Sequence, residues 1–273
     1  MGASMERVAF NAADLLAKRF DIPEPPKKTG PPPTSAEVDA IVREFSVPPL
    51  KLFGTDVPPP VFRDRPDAVT GYKADVTLDE VLKNKEKYPF RVTVIEAFEA
   101  VRSLWRASGK GSLSVMGTFS GPVGNNLKRN VKKDQDSWAV GIAVLEAFND
   151  RLDSQMKERA LQPKRWQAHY DYARALVKSR LAYLNEYNKL LGDILTETLP
   201  SLDEKQKQDS YRLVSTETAK MKSKKDIKQL ASEAAELYDQ IIAERQGTPW
   251  ADQARRDRLT PMGMAWQPYA SKP

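Results

Sequence analysis

The chain of 273 residues has no cysteine. That removes disulfides, thiolate metal sites and cysteine nucleophiles from consideration. It has one histidine, His169, so motifs that need two are excluded, the His-x-x-x-His metal pair among them. No apolar run approaches the roughly 20 residues that span a bilayer. The opening MGASMERVAFNAADLLAKRF lacks the uninterrupted apolar centre of a signal peptide. The chain is therefore expected to be cytoplasmic, or to be part of a longer envelope or periplasmic protein whose targeting segment lies elsewhere. A strong excess of one charge is also missing: 43 basic and 37 acidic side chains leave a formal charge of +6. Such a balance permits an anionic partner without requiring one.

What the chain has in plenty is proline, 20 residues in all, most of them before residue 90. Residues 5 to 20 have the spacing of a short amphipathic helix, with Val8, Leu15, Leu16 and Phe20 as its apolar members. DIPEPPKKTGPPP follows and cannot be helical, because proline lacks the N–H donor and forces its predecessor into extended backbone. It reads as a semi-rigid spacer, or as a segment that docks in a partner's aromatic groove. PTSAEVDAIVREF returns to helix, with Ser35 as cap and Val38, Ile41, Val42 and Phe45 on one face. In VPPLKLFGTDVPPPVFRDRP the apolar Leu50, Leu52, Phe53, Val61 and Phe62 predict a strap lying on a domain. Residues 1–76 are thus expected to be a proline-rich, largely extended segment with short helices, ahead of a helical domain at 77–273.

Thr77 and Glu80 form a capping-box pattern at the start of that domain. RVTVIEAFEAVRSLWRASG carries Val92, Ile95, Phe98, Val101, Leu104 and Trp105 on one stripe, with Gly109 as terminator. Its first residues are also good strand formers, which leaves that boundary open. The glycine-rich GKGSLSVMGTFSGPVGNN allows a short strand through Leu113, Val115 and Phe119.

From Ser137 to about Ala160 the residues Trp138, Ile142, Leu145, Phe148, Leu152 and Met156 step by threes and fours. After LQPK the same stepping resumes from Arg165 to about Leu195, through Trp166, Tyr170, Ala173, Val177, Leu184, Tyr187, Leu191 and Ile194. The spacing predicts an antiparallel helical hairpin over 137–195, packed as a coiled coil. LPSLDEKQKQDSYRLVSTETAKMKSKKD is polar and reads as a surface connection. A second hairpin is expected over 227–260. Its first helix runs from Ile227 to Arg245, and Thr248 and Pro249 open the next. Trp250, Ala254 and Leu259 are expected to face back onto the first. The fold class that follows is all-α in the main.

Few residues invite chemistry. SGKGS at 108–112 evokes a phosphate loop, but the pattern places Leu104 where its first glycine belongs. His169 has Asp171 and Tyr172 beside it in sequence, yet no serine or threonine nucleophile in a recognisable setting. The expectation is therefore a chain that is not an enzyme and holds no cofactor or metal. Two lysine runs stand out, LKRNVKK and the run holding Lys220, Lys222, Lys224, Lys225 and Lys228. They are readable as a solvated helix start or as contacts to phosphates. Trp250, Trp266 and Tyr269 form an aromatic tail, of the residue type that anchors interfaces, or with Trp266 folded back to cover the last helical hairpin.

AAELYDQIIAERQGTPWADQARRDRL looks like a single tetratricopeptide hairpin, with Ala234, Ala235 and Ala254 as the small residues where its helices approach. Over a longer stretch, YPFRVTVIEAFEAVR, KRWQAHYDYARALVKSRLAYLNEYNKLLGDI and GTPWADQARRDRLTPMGMAWQP together resemble the C-terminal region of large, uncharacterised bacterial proteins of envelope type. The resemblance runs from about residue 77 to 269 and implies a helical module at the end of a longer chain. The function expected is a helical scaffold or protein–protein interaction module, bound to another protein or to itself. The alternative is an electrostatic binder of nucleic acid or an anionic envelope polymer through the lysine runs.

Overall fold

The computed structural model describes residues 36–47, 66–104, 113 and 115–271. The expected helix at 5–20, both proline-rich stretches in the main, the Ser35 cap, Trp105, Gly109 and SGKGS lie outside the described residues. In chain order the elements are α1 (Ala36–Phe45), α2 (Pro66–Val69) running into a 3-10 turn, α3 (Leu78–Lys83), α4 (Pro89–Leu104), β1 (Thr118–Ser120), α5 (Asn125–Ser154), a single turn α6 (Met156–Arg159) and α7 (Lys164–Leu195). Then come β2 (Ser210–Thr216), α8 (Lys225–Glu244), α9 (Pro249–Arg258) and β3 (Gly263–Tyr269). The protein is mainly helical, as its periodicity predicts, but it also has a three-stranded antiparallel sheet of order β1-β2-β3.

The sheet corrects two expectations. The segment read as a polar surface connection supplies the central strand β2, and the aromatic tail is the edge strand β3. Tyr211 and Leu213 are buried while Arg212 between them is exposed, the period-two alternation of a half-buried strand. Leu213 stands opposite Trp266 and Tyr211 opposite Phe119, so the inward positions of all three strands meet. The core, not local composition, makes this segment a strand. Gly263 starts β3 where a Cβ would lie 2.6 Å from the Glu217 carbonyl oxygen, an approach that only glycine permits.

Several local rules operate as the sequence predicts. The Thr77 hydroxyl accepts from the Glu80 N–H at 3.2 Å, while the Glu80 carboxylate turns to the Tyr88 hydroxyl instead of closing the box. Thr248 caps α9, and Pro249 occupies its first turn, where a missing donor costs nothing. The strand-forming start of α4 is helical because Pro89 presets the first turn and Phe90, Val94, Ala97, Phe98 and Val101 then fall into the core. α5 begins at Asn125 rather than Ser137.

α7 is the axis of the described helical unit. α5 runs back along it, α8 lies along another side, and α4, α9 and β3 take the remaining space. Arg165, His169, Lys178, Arg180, Glu186 and Asp193 of α7 are buried along with its apolar residues. α1, expected to belong to the proline-rich segment, contributes Val38, Ile41 and Phe45 to the same core.

Candidate functional site

Two places in the structure hold residues of functional type: a polar cluster inside, around His169, and the outer side of α5.

His169 is 1% exposed and ringed by Phe45, Phe98, Trp166 and Trp250. Trp250 donates its indole N–H to His169 Nδ1 at 3.2 Å. Since indole nitrogen only donates, Nδ1 is the acceptor and the ring proton sits on Nε2. From there it is given to Glu44 Oε2 at 2.7 Å. Arg165 grips the same carboxylate with two nitrogens, at 2.8 and 2.6 Å, and reaches Glu37 as well. Burial pushes the imidazole below its ordinary value, outweighing the pull of Glu44. For Glu44, burial acts upward, but the hydrogen bonds from His169 and Arg165 prevail and hold the carboxyl low. The pair is therefore a neutral imidazole donating to a carboxylate.

The sequence neighbour Asp171 is not the partner of His169. It accepts from Arg159 and Arg245 instead, joining the turn before α7 to the end of α8. Both nitrogens of His169 are occupied inside the core, so the arrangement offers no free base or acid to a substrate. What it does is clamp α1 to α7 and α9. Arg102 completes the clamp by donating to the Ser46 and Glu44 carbonyls at 2.8 and 3.1 Å, at the end of α1.

The other interior charges are used the same way. Asp153 holds Arg174 at 2.7 Å and Lys178 at 3.1 Å, and Lys178 reaches on to Glu233 of α8. Tyr172 donates to Asp257 of α9, which also accepts from Arg256. Glu186, fully buried, accepts from the Lys222 and Ser223 N–H groups at 2.8 and 2.9 Å. It thereby supplies a negative charge to the N-terminal end of α8, where three lysines oppose the helix dipole.

The residues singled out in sequence are dispersed. Trp250 is wholly buried and stacks on Phe45, its indole directed at His169 and not at the preceding helix. Trp266 is buried, donates to the Leu190 carbonyl at 3.0 Å and meets Phe119 edge to face. Tyr269 is half-buried beneath the Arg212 guanidinium. Lys222 pairs with Asp193 at 2.7 Å, and Lys220 faces Glu217 at 3.5 Å. Lys224 and Lys225 are exposed at the start of α8, and Lys228 is half-buried. The aromatic and lysine groups do not converge on one surface.

The outer side of α5 is not among the faces that the helical stepping predicts. Its inner face buries Val131, Trp138, Gly141, Leu145 and Leu152. Its outer face carries Ala139, Val140, Ala143, Val144 and Ala147, all exposed, with Val140 at 66%. The signal is present in the run SWAVGIAVLEAF, whose apolar residues are too many for one stripe. Among the described residues no helix is long and apolar enough to cross a membrane, and no acidic or histidine cluster has metal-binding geometry. Compared with protein-family models, curated proteins and solved structures, the chain matches none.

Proposed function

We propose that the chain is a non-enzymatic helical scaffold, a protein–protein interaction module whose contact face is the outer side of α5. One observation carries the reading. An aliphatic stripe about two turns long faces outward on a helix already seated on the core by its other face. Contiguous outward apolar surface of this kind marks interaction sites. The interior ionisable groups described above are engaged in holding helices together, which supports a structural rather than a chemical role for them. On the same reading, α8 and α9 form a single tetratricopeptide-like hairpin, although Ala234 packs in a cluster with Ala182 of α7 and Ala254 lies in the main core. A role in binding nucleic acid or an anionic polymer has less support, since Lys222 and Lys128 are held by Asp193 and Glu197.

The test is a double variant, Val140→Glu with Val144→Glu. Circular dichroism should match the parent, because both side chains are exposed. Chemical cross-linking should show the loss of whatever macromolecular association the parent has. Identical association in parent and variant would remove α5 from the reading.

A further inference from the structure

The outer face of α5 is ordered in a way that identifies its partner. Lys133, Asp136, Val140, Ala143, Ala147 and Asp150 follow one another by threes and fours and are all exposed. That is the spacing of a coiled-coil seam, on the side of the helix away from α7. The seam is apolar in the middle and charged at its ends, basic at Lys133 and acidic at Asp150. Arg129 lies before the basic end, and Glu146 flanks the acidic one. This order runs against the helix dipole, which favours acids early and bases late. Neither Lys133, Glu146 nor Asp150 forms an ion pair among the described residues, although Lys132 pairs with Asp136 and Arg151 with Glu96. Of these, Lys133 and Asp150, set against their own helix, are matched when a second, identical helix runs antiparallel.

We propose that α5 pairs with α5 of a second copy of this chain, antiparallel and about a two-fold axis between Val140 and Ala143. In that register Val140 of each copy lies over Ala143 of the other, a large residue against a small one. Lys133 of each copy then faces Asp150 of the other, and the macrodipoles oppose. A two-fold contact must be self-complementary, and this seam is so in size at Val140 and Ala143 and in charge at Lys133 and Asp150, while Asp136, held by Lys132 of its own helix, lies opposite Ala147. A partner of different sequence would need neither symmetry. The proposal rests on the reading of α5 as the contact face and adds the identity of the partner. The seam from Lys133 to Asp150 is about 25 Å long. One helix pair of that length buries less than roughly 1,200 Å², the low end for stable interfaces. Such a small contact makes the pairing dependent on protein concentration.

The absence of cysteine makes a clean test. Lys133→Cys and Asp150→Cys are prepared as separate single variants, mixed and oxidised. The expected product is a covalent dimer joining position 133 of one chain to position 150 of the other, favoured over either variant linked to itself. Light scattering across a dilution series should show the parent passing from dimer to monomer. Val140→Glu should weaken this on the order of a hundredfold. Lys133→Asp should weaken it less, and adding Asp150→Lys should restore it. Circular dichroism checks that each variant is folded. A parent that stays monomeric at every concentration, or a cross-link with no preference for 133 with 150, overturns the self-pairing. If a different chain is then captured and lost on Val140→Glu, the contact-face reading survives without it. A dimer indifferent to Val140→Glu overturns both.

Discussion

Helices α5 and α7 are 30 and 32 residues long, lie along each other and have opposite surroundings. α7 is enclosed by helices and sheet, and it buries charged residues as readily as apolar ones. α5 is covered on one side, and it leaves valine and alanine in the open. Neither outcome follows from composition, for α5 contributes the exposed aliphatic face and α7 the buried arginines. The difference lies in neighbours. Each buried charge of the His169, Asp153 and Glu186 clusters meets a partner delivered by another element, whereas no described element lies over the outside of α5.

Large-to-small changes along the two helices should expose this difference most sharply. Leu184 of α7 is fully buried and lies near Gly141 of α5, where a Cβ would sit 3.8 Å away. Leu184→Ala is expected to cost about 2–5 kcal/mol, the usual range for a cavity at such a site. Urea denaturation read by circular dichroism measures it. An effect near zero would mean that α7 is not the enclosed axis.

Polar contacts come next. Glu44→Ala deprives the His169 Nε2–H of its acceptor and removes two of the bonds to Arg165, which keeps Glu37. About 2 kcal/mol is expected, typical of a buried donor left unsatisfied. The loss should be local. Amide hydrogen exchange should rise across Ala36–Phe45 while the centre of α7 stays protected.

Acid titrates the same clamp. His169 is held below its ordinary 6.5, so the unfolded chain binds the proton first and stability falls as pH drops below 6.5. Glu44, Asp153, Asp193 and Glu233 are also held low, so a second loss begins as pH falls below about 4.5. His169→Gln keeps a donor and an acceptor without a titrating proton. The first loss should vanish and the second remain, read as melting temperature against pH. A tenfold difference in proton affinity between folded and unfolded chains corresponds to about 1.4 kcal/mol, the scale on which this loss is read. An unchanged upper phase would place the titration on another group.

The legibility of the fold in its residues differs from helix to helix. The limits of α7 were readable because Trp166, Tyr170, Ala173, Val177, Leu184, Tyr187, Leu191 and Ile194 keep one period throughout, and all are buried. The start of α5 was not. NNLKRNVKKDQD has only Leu127 and Val131 as apolar residues. That turn is held by long-range bonds, such as Gln135 to the Asn188 carbonyl at 3.1 Å. β2 and β3 were hidden because strand pairing joins residues 47 to 59 apart in sequence. The histidine cluster was invisible for the same reason: its carboxylate lies on α1, not at the adjacent Asp171.

The smallest expected effect is the most discriminating for α5. Val140→Ser changes a side chain that is 66% exposed and touches no core residue by its position on the helix. Exposed substitutions of this kind stay within about 0.5 kcal/mol. The change should therefore leave urea unfolding of a dilute sample unaltered. At high protein concentration the parent gains stability from association, because a dimer that forms only from folded chains draws the equilibrium towards them. The variant should not gain it. Parent and variant curves that coincide when dilute and separate when concentrated would assign the valine to an intermolecular contact. Curves that separate at every concentration would return it to the fold, and the contrast between the two helices would close.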